Sequence, residues 1–583
     1  MPTAQCRSQP AEVAIKVLGV NAIYHDPSAA LVVDGHCVAA AEEERFSRRK
    51  HGKRPVPFSA WETPDLAAAW CLQEADVRPE DLDAVTYSFD PALHLPPEQL
   101  GLVDPWDHLR RTYAERAGEF LASALPGLDP AKLRYVPHHV AHAASAALAA
   151  PFDGDTAVLV LDGRGEQHSH LAGRYRGGVL ETLQSQQLPH SLGLLYEDAT
   201  AHLGFLRSSD EYKVMALASY GTSRHLDQLR AQVHASDDGG FRTTGVDWAS
   251  MSKGREPGDQ WSADDADLAS SLQAVTEEVL LDLARWLRER TGSTRLALAG
   301  GVALNCVANT RIFAETGFEQ VWVQPAAGDA GTALGGALTL AQELGDGVHA
   351  WSGADLGRGF TDEQIETALQ TARVPYERPA DVAEEVARTL AADGVVAWFQ
   401  GRAEFGPRAL GRRSLMAHPG RAANLVRLND VKGREQFRPV APMVRLERAA
   451  ELFTRGPIPS PYMLFVHDVL PQWRERIPAV VHVDGTARIQ TVDSEIDPLL
   501  GRMLAEFDRL TGLPVVVNTS LNTAGRPMVD DVRDALECFG STPVDLLAIG
   551  PFVLRRGDFR ADSPVDVRPD VWADVEADVG AGR

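Results

Sequence analysis

Residues 16–50 read KVLGVNAIYHDPSAALVVDGHCVAAAEEERFSRRK, and their pattern sets the fold class. Positions 17–20 are a short apolar strand, and 21–28 are a polar turn. Positions 29–33 make a second strand, Asp34-Gly35 a tight turn, and 36–41 a third strand. Working outward, a second strand-and-turn unit is expected at 157–165 (AVLVLDGRG). Helical apolar spacing marks 59–77 and 107–125, and 267–290 reads as an amphipathic helix with basic residues near its end. That helix runs into a strand at 295–299 and the turn Gly300-Gly301. A polar, turn-rich stretch at 345–380 precedes a fresh start of helix (383–393) and strand (395–399), which places the main boundary near 350–375. The basic segment 400–417 reads as a loop, and the last dozen residues as an acidic, frayed tail. Strands and helices in this order specify an α/β protein.

At 583 residues the chain is too long for one hydrophobic core. Its 57 Lys and Arg against 81 Asp and Glu give a formal charge of −24, which repels nucleic-acid phosphates and argues against nucleic acid as a partner. An anionic substrate must then enter through a local basic pocket. Five cysteines without a CxxC spacing indicate reduced thiols, as in a cytoplasmic protein. No run of about 18 apolar residues occurs, so no membrane span is expected, and residues 1–14 carry no apolar signal core.

In VPHHVAHAA (136–144), a helix opened by Pro137 puts His138 and His142 one turn apart on one face, where two imidazoles can chelate a divalent ion. His139 is turned away by about 100° and is the weaker ligand. Carboxylates should join them, and Asp162 (LDGRGE) and Asp329 (AGDAGTA) are loop carboxylates at element ends, where turn or cap chemistry is the plainer explanation. The Gly300-Gly301 turn can present backbone amides to a phosphate, although no Walker loop occurs in the chain. His25 follows the first strand and has the pKa range to take a hydroxyl proton. Lys50 closes the basic run 45–50, which on its own reads as a solvated face.

A second basic concentration lies in the C-terminal half: Arg402, Arg408, Arg412, Arg413, Lys432, Arg434, Arg438, Arg488 and Arg526. Neighbours such as Phe405, Pro407, Phe437 and Pro439 imply buried loops. Buried guanidinium groups call for an anionic partner, and a phosphate ligand fits. Helix capping or surface ion pairs remain the bland alternative.

Ten motifs in order, among them NAIYHDPSAALV, HHVAHAASA, LAGGVALNCVAN, EFGPRALGRRS, KGREQFRPVAP and VVNTSLNTAGRPMV, resemble the carbamoyltransferase family of nodulation protein U and the cephem and aminoglycoside O-carbamoyltransferases. The resemblance spans roughly 16–560. It implies an N-terminal actin-like ATPase (ASKHA) domain over 1–355, consistent with the opening strand–loop–strand–strand unit. It also implies a smaller α/β domain over 375–583, similar to threonylcarbamoyl-adenylate synthase (YrdC-like). By this likeness the C-terminal domain forms carbamoyl adenylate from ATP and carbamoyl phosphate. The N-terminal domain then passes the carbamoyl group to a hydroxyl of a small-molecule natural product.

Carried over residue by residue, His138, His142, Asp162 and Asp329 match metal ligands, with Fe(II) the family's ion and Mg2+ left open. His25 matches a general base and Lys50 a nucleotide contact. Arg408 and Arg438 match carbamoyl phosphate contacts, and Lys432, Arg488, Asn518 and Arg526 line the nucleotide pocket. Arg164 stands where an apolar residue is common. Ile23 and Tyr24 stand where an enzyme for a cationic acceptor would place an acid, which hints at a neutral, rather apolar acceptor such as a polyketide. The expected assembly is a monomer or homodimer in the cytoplasm. An actin-fold kinase or ATPase, a non-catalytic metal or nucleotide sensor, and a tRNA-modifying enzyme are the competing readings, the last disfavoured by the −24 charge.

Overall fold

The computed structural model describes residues 14–52 and 63–559. Strands β1 (Lys16–Asn21), β2 (Ser28–Val33), β3 (His36–Glu42), β4 (Ala84–Tyr87) and β5 (Leu133–Tyr135) form a sheet in the order β3-β2-β1-β4-β5. The first three are an antiparallel meander, while β1 pairs parallel with β4 and β4 with β5. A second sheet holds β6 (Thr156–Leu161), β7 (His168–Arg176) and β8 (Val179–Gln187). A short ribbon of β9 (Val233–Ala235) and β10 (Phe241–Thr243) intervenes before β11 (Arg295–Ala299) and β12 (Gln320–Val323) complete it. Its order is β12-β11-β6-β7-β8, again a meander flanked by two parallel strands. With β6, β7, β8, β11 and β12 as counterparts of β1 to β5, the two sheets have one topology. This duplication is the actin-like ATPase arrangement.

A third sheet of seven strands takes β13 (Val396–Phe399), β14 (Arg413–Ala417), β15 (Ala441–Arg445), β19 (Gln490–Val492), β20 (Val515–Ser520), β21 (Leu546–Ile549) and β22 (Phe552–Arg555). The small strands β16 (Phe453–Thr454), β17 (Val466–Val469) and β18 (Thr486–Arg488) make a separate three-stranded sheet. This is the smaller α/β unit that the motifs call for. No helix among the described residues is long and apolar enough to cross a membrane.

Small residues set how closely the two N-terminal sheets and their helices approach. Helix His138–Ala147 packs on helix Ala330–Glu343, where a Cβ on Gly335 would run into the Ala141 carbonyl. Ala141, Ala143, Ala144 and Ala146 are fully buried there. Helix Ala263–Thr291 starts at a capping box of Ser262 and Asp265 and stops at left-handed Gly292.

Several expectations shift. The helix expected at 59–77 covers Asp65–Glu74, and residues 53–62 lie outside the described ones. The 107–125 segment is two helices, Asp107–Glu115 and Ala117–Ala124, broken at Arg116. Segment 400–417 ends in strand β14, because SLMA buries against both neighbouring strands. Helix Asp362–Ala372 forms inside the expected boundary and joins Ile365 and Leu369 to the core of the seven-stranded sheet. The expected acidic tail lies outside the described residues.

The basic run 45–50 is a solvated face only at its end, where Arg49 and Lys50 are exposed, while Arg45 and Arg48 turn inward. Arg45 is 2% exposed and donates to the Gly406 carbonyl at 3.1 Å, with Glu42 at 3.6 Å. Arg48 donates to the carbonyls of Met528 (2.8 Å) and Pro527 (3.1 Å) and pairs with Asp534 at 3.1 Å. Carbonyl and carboxylate oxygens of the C-terminal unit replace the water that such a run would otherwise seek. From the other side, Arg402 donates to Val38 and Gly357 carbonyls at 3.0 Å.

Candidate active site

Pro137 caps helix His138–Ala147, so His138 and His142 share its inward face. Asp162 sits just past the end of β6, and Asp329 just before helix Ala330–Glu343. One ligand atom from each of these four buried residues lies within 4.8 Å of all the others. His138 Nε2 is 3.3 Å from Asp162 and 3.6 Å from Asp329; His142 Nε2 is 3.8 Å and 3.5 Å from the same two. His139 is not in the group.

The surroundings orient these ligands. His138 Nδ1 lies 3.1 Å from the Ser88 carbonyl, which fixes the proton there and leaves Nε2 to the carboxylates. Glu166 accepts the backbone amide of His138 at 2.8 Å. A Cβ on Gly165 would stand 2.8 Å from the His139 ring, so the DGRG turn needs glycine there. Burial pulls the His138 pKa down, but the facing carboxylates of Asp162 and Asp329 outweigh it and hold it well above the usual value. Burial raises Asp162 and Asp329, and the histidines more than reverse this, so both stay below the usual carboxylate range. Neither ring nitrogen of His142 has a hydrogen-bond partner among the described residues. Two imidazoles and two carboxylates converging with unsatisfied buried donor atoms suit a divalent ion.

His25 lies in the β1–β2 loop, with Nδ1 2.8 Å from Asp26. Tyr24 bridges this loop to the four-residue cluster. Its hydroxyl donates to the Gly165 carbonyl at 2.9 Å, and its ring meets the His138 ring edge-on at 5.8 Å. Arg164 and Arg110 stand over the Tyr24 ring at 4.8 and 5.3 Å and share Asp104, at 2.9 and 2.7 Å.

In the C-terminal unit, Arg408, Lys432, Arg434, Arg438 and Arg488 gather without enough carboxylates to pair them. Burial, with Arg488 beside it, pulls the Arg408 pKa down to about 9. Burial and the nearby Arg438 do the same to Arg434, again to about 9. Burial, with Arg434 and Arg438, pulls Lys432 well below its usual value, and the Lys50 charge adds to this. Lys432 donates to the Ser520 hydroxyl at 2.9 Å. Arg438 stacks on Tyr212 at 4.7 Å and meets Glu435 at 3.5 Å. Buried Nε atoms of Arg408 and Arg488 have no hydrogen-bond partner among the described residues. Such a cluster of buried cations could hold an anion with several oxygens.

Other residues named from the sequence are placed differently. Asn518 is fully buried, donating to Gln490 (2.7 Å) and to the carbonyl of Ala409, the neighbour of Arg408 (3.0 Å). Arg526 is 59% exposed and pairs with Glu537 at 3.5 Å. Arg413 is buried but donates to backbone carbonyls of Gln400 and Arg358, and Arg412 pairs with Asp497 at 3.0 Å. Backbone oxygens and Asp497 satisfy these guanidinium groups, so no ligand is required to explain them. Sequence reasoning missed Ser88, Glu166, Asp26 and His51. Of these, only Asp26 and His51 carried a readable signal, as polar side chains in loops near His25.

Comparison with known proteins fits this arrangement. The family models described as carbamoyltransferase N-terminus and carbamoyltransferase C-terminus match residues 16–94 with 109–338, and 387–556. Nodulation protein NolNO of Sinorhizobium fredii is 36% identical over 94% of this chain and 81% of its own. Nodulation protein U of Rhizobium tropici is 30% identical over 90% of this chain and 93% of its own. Among solved structures, full-length HypF in its phosphate- and nucleotide-bound form aligns with a TM-score of 0.34 at 14% identity, covering 58% of this chain and 57% of HypF. At that score the fold rests on the strand order above. Matched at both ends and across most of its length, the chain belongs to the carbamoyltransferase family.

Proposed function

We propose that this chain is an ATP-dependent O-carbamoyltransferase that acts on a hydroxyl of a small-molecule natural product. The observation that carries the reading is a pair of unlike pockets in one polypeptide: a buried His2Asp2 cluster and a cluster of buried cations short of counter-charge. In this reading residues 375–583 turn carbamoyl phosphate, water and ATP into carbamoyl adenylate, phosphate and pyrophosphate. Residues 1–355 then join the carbamoyl carbon to the acceptor oxygen, releasing AMP and a proton.

Arg408 and Arg438 grip the phosphate of carbamoyl phosphate, while Lys432, Arg488 and Lys50 face the triphosphate. Asn518 supports that pocket through the carbonyl of Ala409, the neighbour of Arg408. Arg526, on the exposed rim, takes a peripheral part at most. His138, His142, Asp162 and Asp329 would hold the divalent ion, Fe(II) by family likeness. When bound, such an ion supplies positive charge against which the departing phosphate is stabilised. His25 takes the acceptor's proton at a ring nitrogen. Asp104 and Asp107 balance the guanidinium groups of Arg110 and Arg164 beside Tyr24. The preference for a neutral acceptor such as a polyketide therefore rests on Ile23 and Tyr24 standing where an acid would serve a cationic one.

A kinase reading leaves the C-terminal cation pocket without a purpose. Incubation with ATP, carbamoyl phosphate and Fe(II) decides between them: carbamoyl-phosphate-dependent pyrophosphate release is expected. Release of ADP instead, or binding without turnover, overturns the proposal. Screening hydroxylated natural products by mass for the gain of one carbamoyl group identifies the acceptor.

A further inference from the structure

His51 lies outside every role assigned so far, yet it meets Asp26, Ser209 and the His25 ring. Asp26 divides its carboxylate between two imidazoles: Oδ2 is 2.8 Å from His25 Nδ1, and Oδ1 is 2.9 Å from His51 Nδ1. The loop that carries Asp26 is held by Asn21, whose side-chain amide donates to the carbonyls of His25 (2.8 Å) and Asp26 (3.1 Å). His51 is fixed at two further points. Its Nε2 is 2.7 Å from the Ser209 hydroxyl, and its backbone amide donates to Glu44 at 2.7 Å.

The backbone here is unusual. Arg48 (φ +57°) and His51 (φ +61°) are both left-handed, which residues with a side chain seldom adopt. Such a conformation persists only where surrounding contacts over-determine it. The Arg48 guanidinium is bound to Met528, Pro527 and Asp534, and the His51 ring to Asp26 and Ser209. Lys50 lies in sequence between these two anchors, exposed at the end of the run, and its charge is one of those that lower Lys432. One anchor belongs to the C-terminal unit and the other to the loop that presents His25.

Building on the function proposed above, we infer that Asp26 and His51 are positioning residues that tie Lys50 of the adenylate-forming pocket to His25 of the transfer site. A metal site is the alternative use for two imidazoles and a carboxylate. The geometry favours the tie, because each carboxylate oxygen is engaged at hydrogen-bond distance by a different ring.

The test needs no acceptor. Carbamoyl-phosphate-dependent pyrophosphate release by the full chain is measured against ATP concentration. His51→Ala is expected to raise KM for ATP by about five- to tenfold while kcat stays within about twofold, the pattern of lost binding without lost chemistry. His51→Asn, whose side-chain amide can replace Nδ1 as donor to Asp26, is expected to restore KM. If His51→Ala does not fold, His51→Phe keeps the ring, has no donor for Asp26 and reads the same constant. A wild type that releases no pyrophosphate overturns the functional reading and the tie together. A wild type that releases it, with KM for ATP unchanged in His51→Ala or His51→Phe, overturns the tie alone. So does equilibrium dialysis with Co2+ showing two ions per wild-type chain and one in His51→Ala, an outcome that makes the cluster a metal site.

Discussion

The backbone amide of Gly301 donates to Asp162 Oδ1 at 2.9 Å, leaving Oδ2 to face His138 Nε2 at 3.3 Å. The glycine turn after β11 therefore orients a carboxylate that belongs to β6. A Cβ on Gly301 would lie 3.2 Å from that same oxygen, so any other residue there would press on the carboxylate and shift it.

His138→Ala and Asp329→Ala each remove one of four converging donors. Transfer to an acceptor is expected to fall by about 100-fold or more, in line with lost metal affinity, while pyrophosphate release persists. Metal content by elemental analysis should drop in parallel, and a chelator should reproduce the effect in the wild type. A variant that keeps its metal but loses pyrophosphate release would reverse the division of labour between the pockets.

Arg438→Ala removes a cation from the C-terminal pocket and is expected to reduce pyrophosphate release by about 100-fold, the scale of a lost charge-stabilising donor. Arg526→Ala takes away an exposed guanidinium paired at 3.5 Å with Glu537 and should cost much less. Equal losses in the two variants would place Arg526 in the pocket after all.

Arg164→Leu releases one of the two guanidinium groups over Tyr24 and frees half of the demand on Asp104. The expected result is a broader acceptor range that admits aminated compounds, read by mass from a matched panel. An unchanged panel would separate Arg164 from acceptor choice.

Burial pushes the Glu42 carboxyl up to about 7, although Arg45 pulls it down. A carboxyl raised in the folded state binds protons that the unfolded chain has released, so its contribution is fully present below about pH 4.5 and is lost as pH rises through about 7. Glu42→Gln stays neutral throughout. The two proteins are expected to unfold alike near pH 4.5, and by pH 8 the wild type should be less stable by about 1–3 kcal/mol relative to the variant. Denaturant titrations at the two pH values check this, and parallel curves would contradict it.

Much of the fold was legible because it depends on local patterns. The strand–turn–strand unit of 16–42 and the capped helix Ala263–Thr291 each follow from residues close together in the chain. His138 and His142 were legible for the same reason, as one turn of helix. Their supports were not. Ser88 lies 50 residues before His138 and Glu166 lies 28 after it, and a serine carbonyl carries no sequence signature. The arginines mark the limit most clearly. Arg408 and Arg413 look alike in GPRALGRRS, yet Arg413 is surrounded by backbone carbonyls while Arg408 faces other cations. Only the path of the backbone separates them.

Arg45 and Arg48 also bear on how this protein can be divided and recombined. They leave β3's end in the first half of the chain and close on carbonyls of Gly406, Pro527 and Met528 in the second. A chimera that exchanges the acceptor-facing half for that of a relative would have to match this seam as well as the linker. Cutting only at the linker would leave the carbonyls of Gly406, Pro527 and Met528 without donors unless the foreign half brings guanidinium groups to the same places.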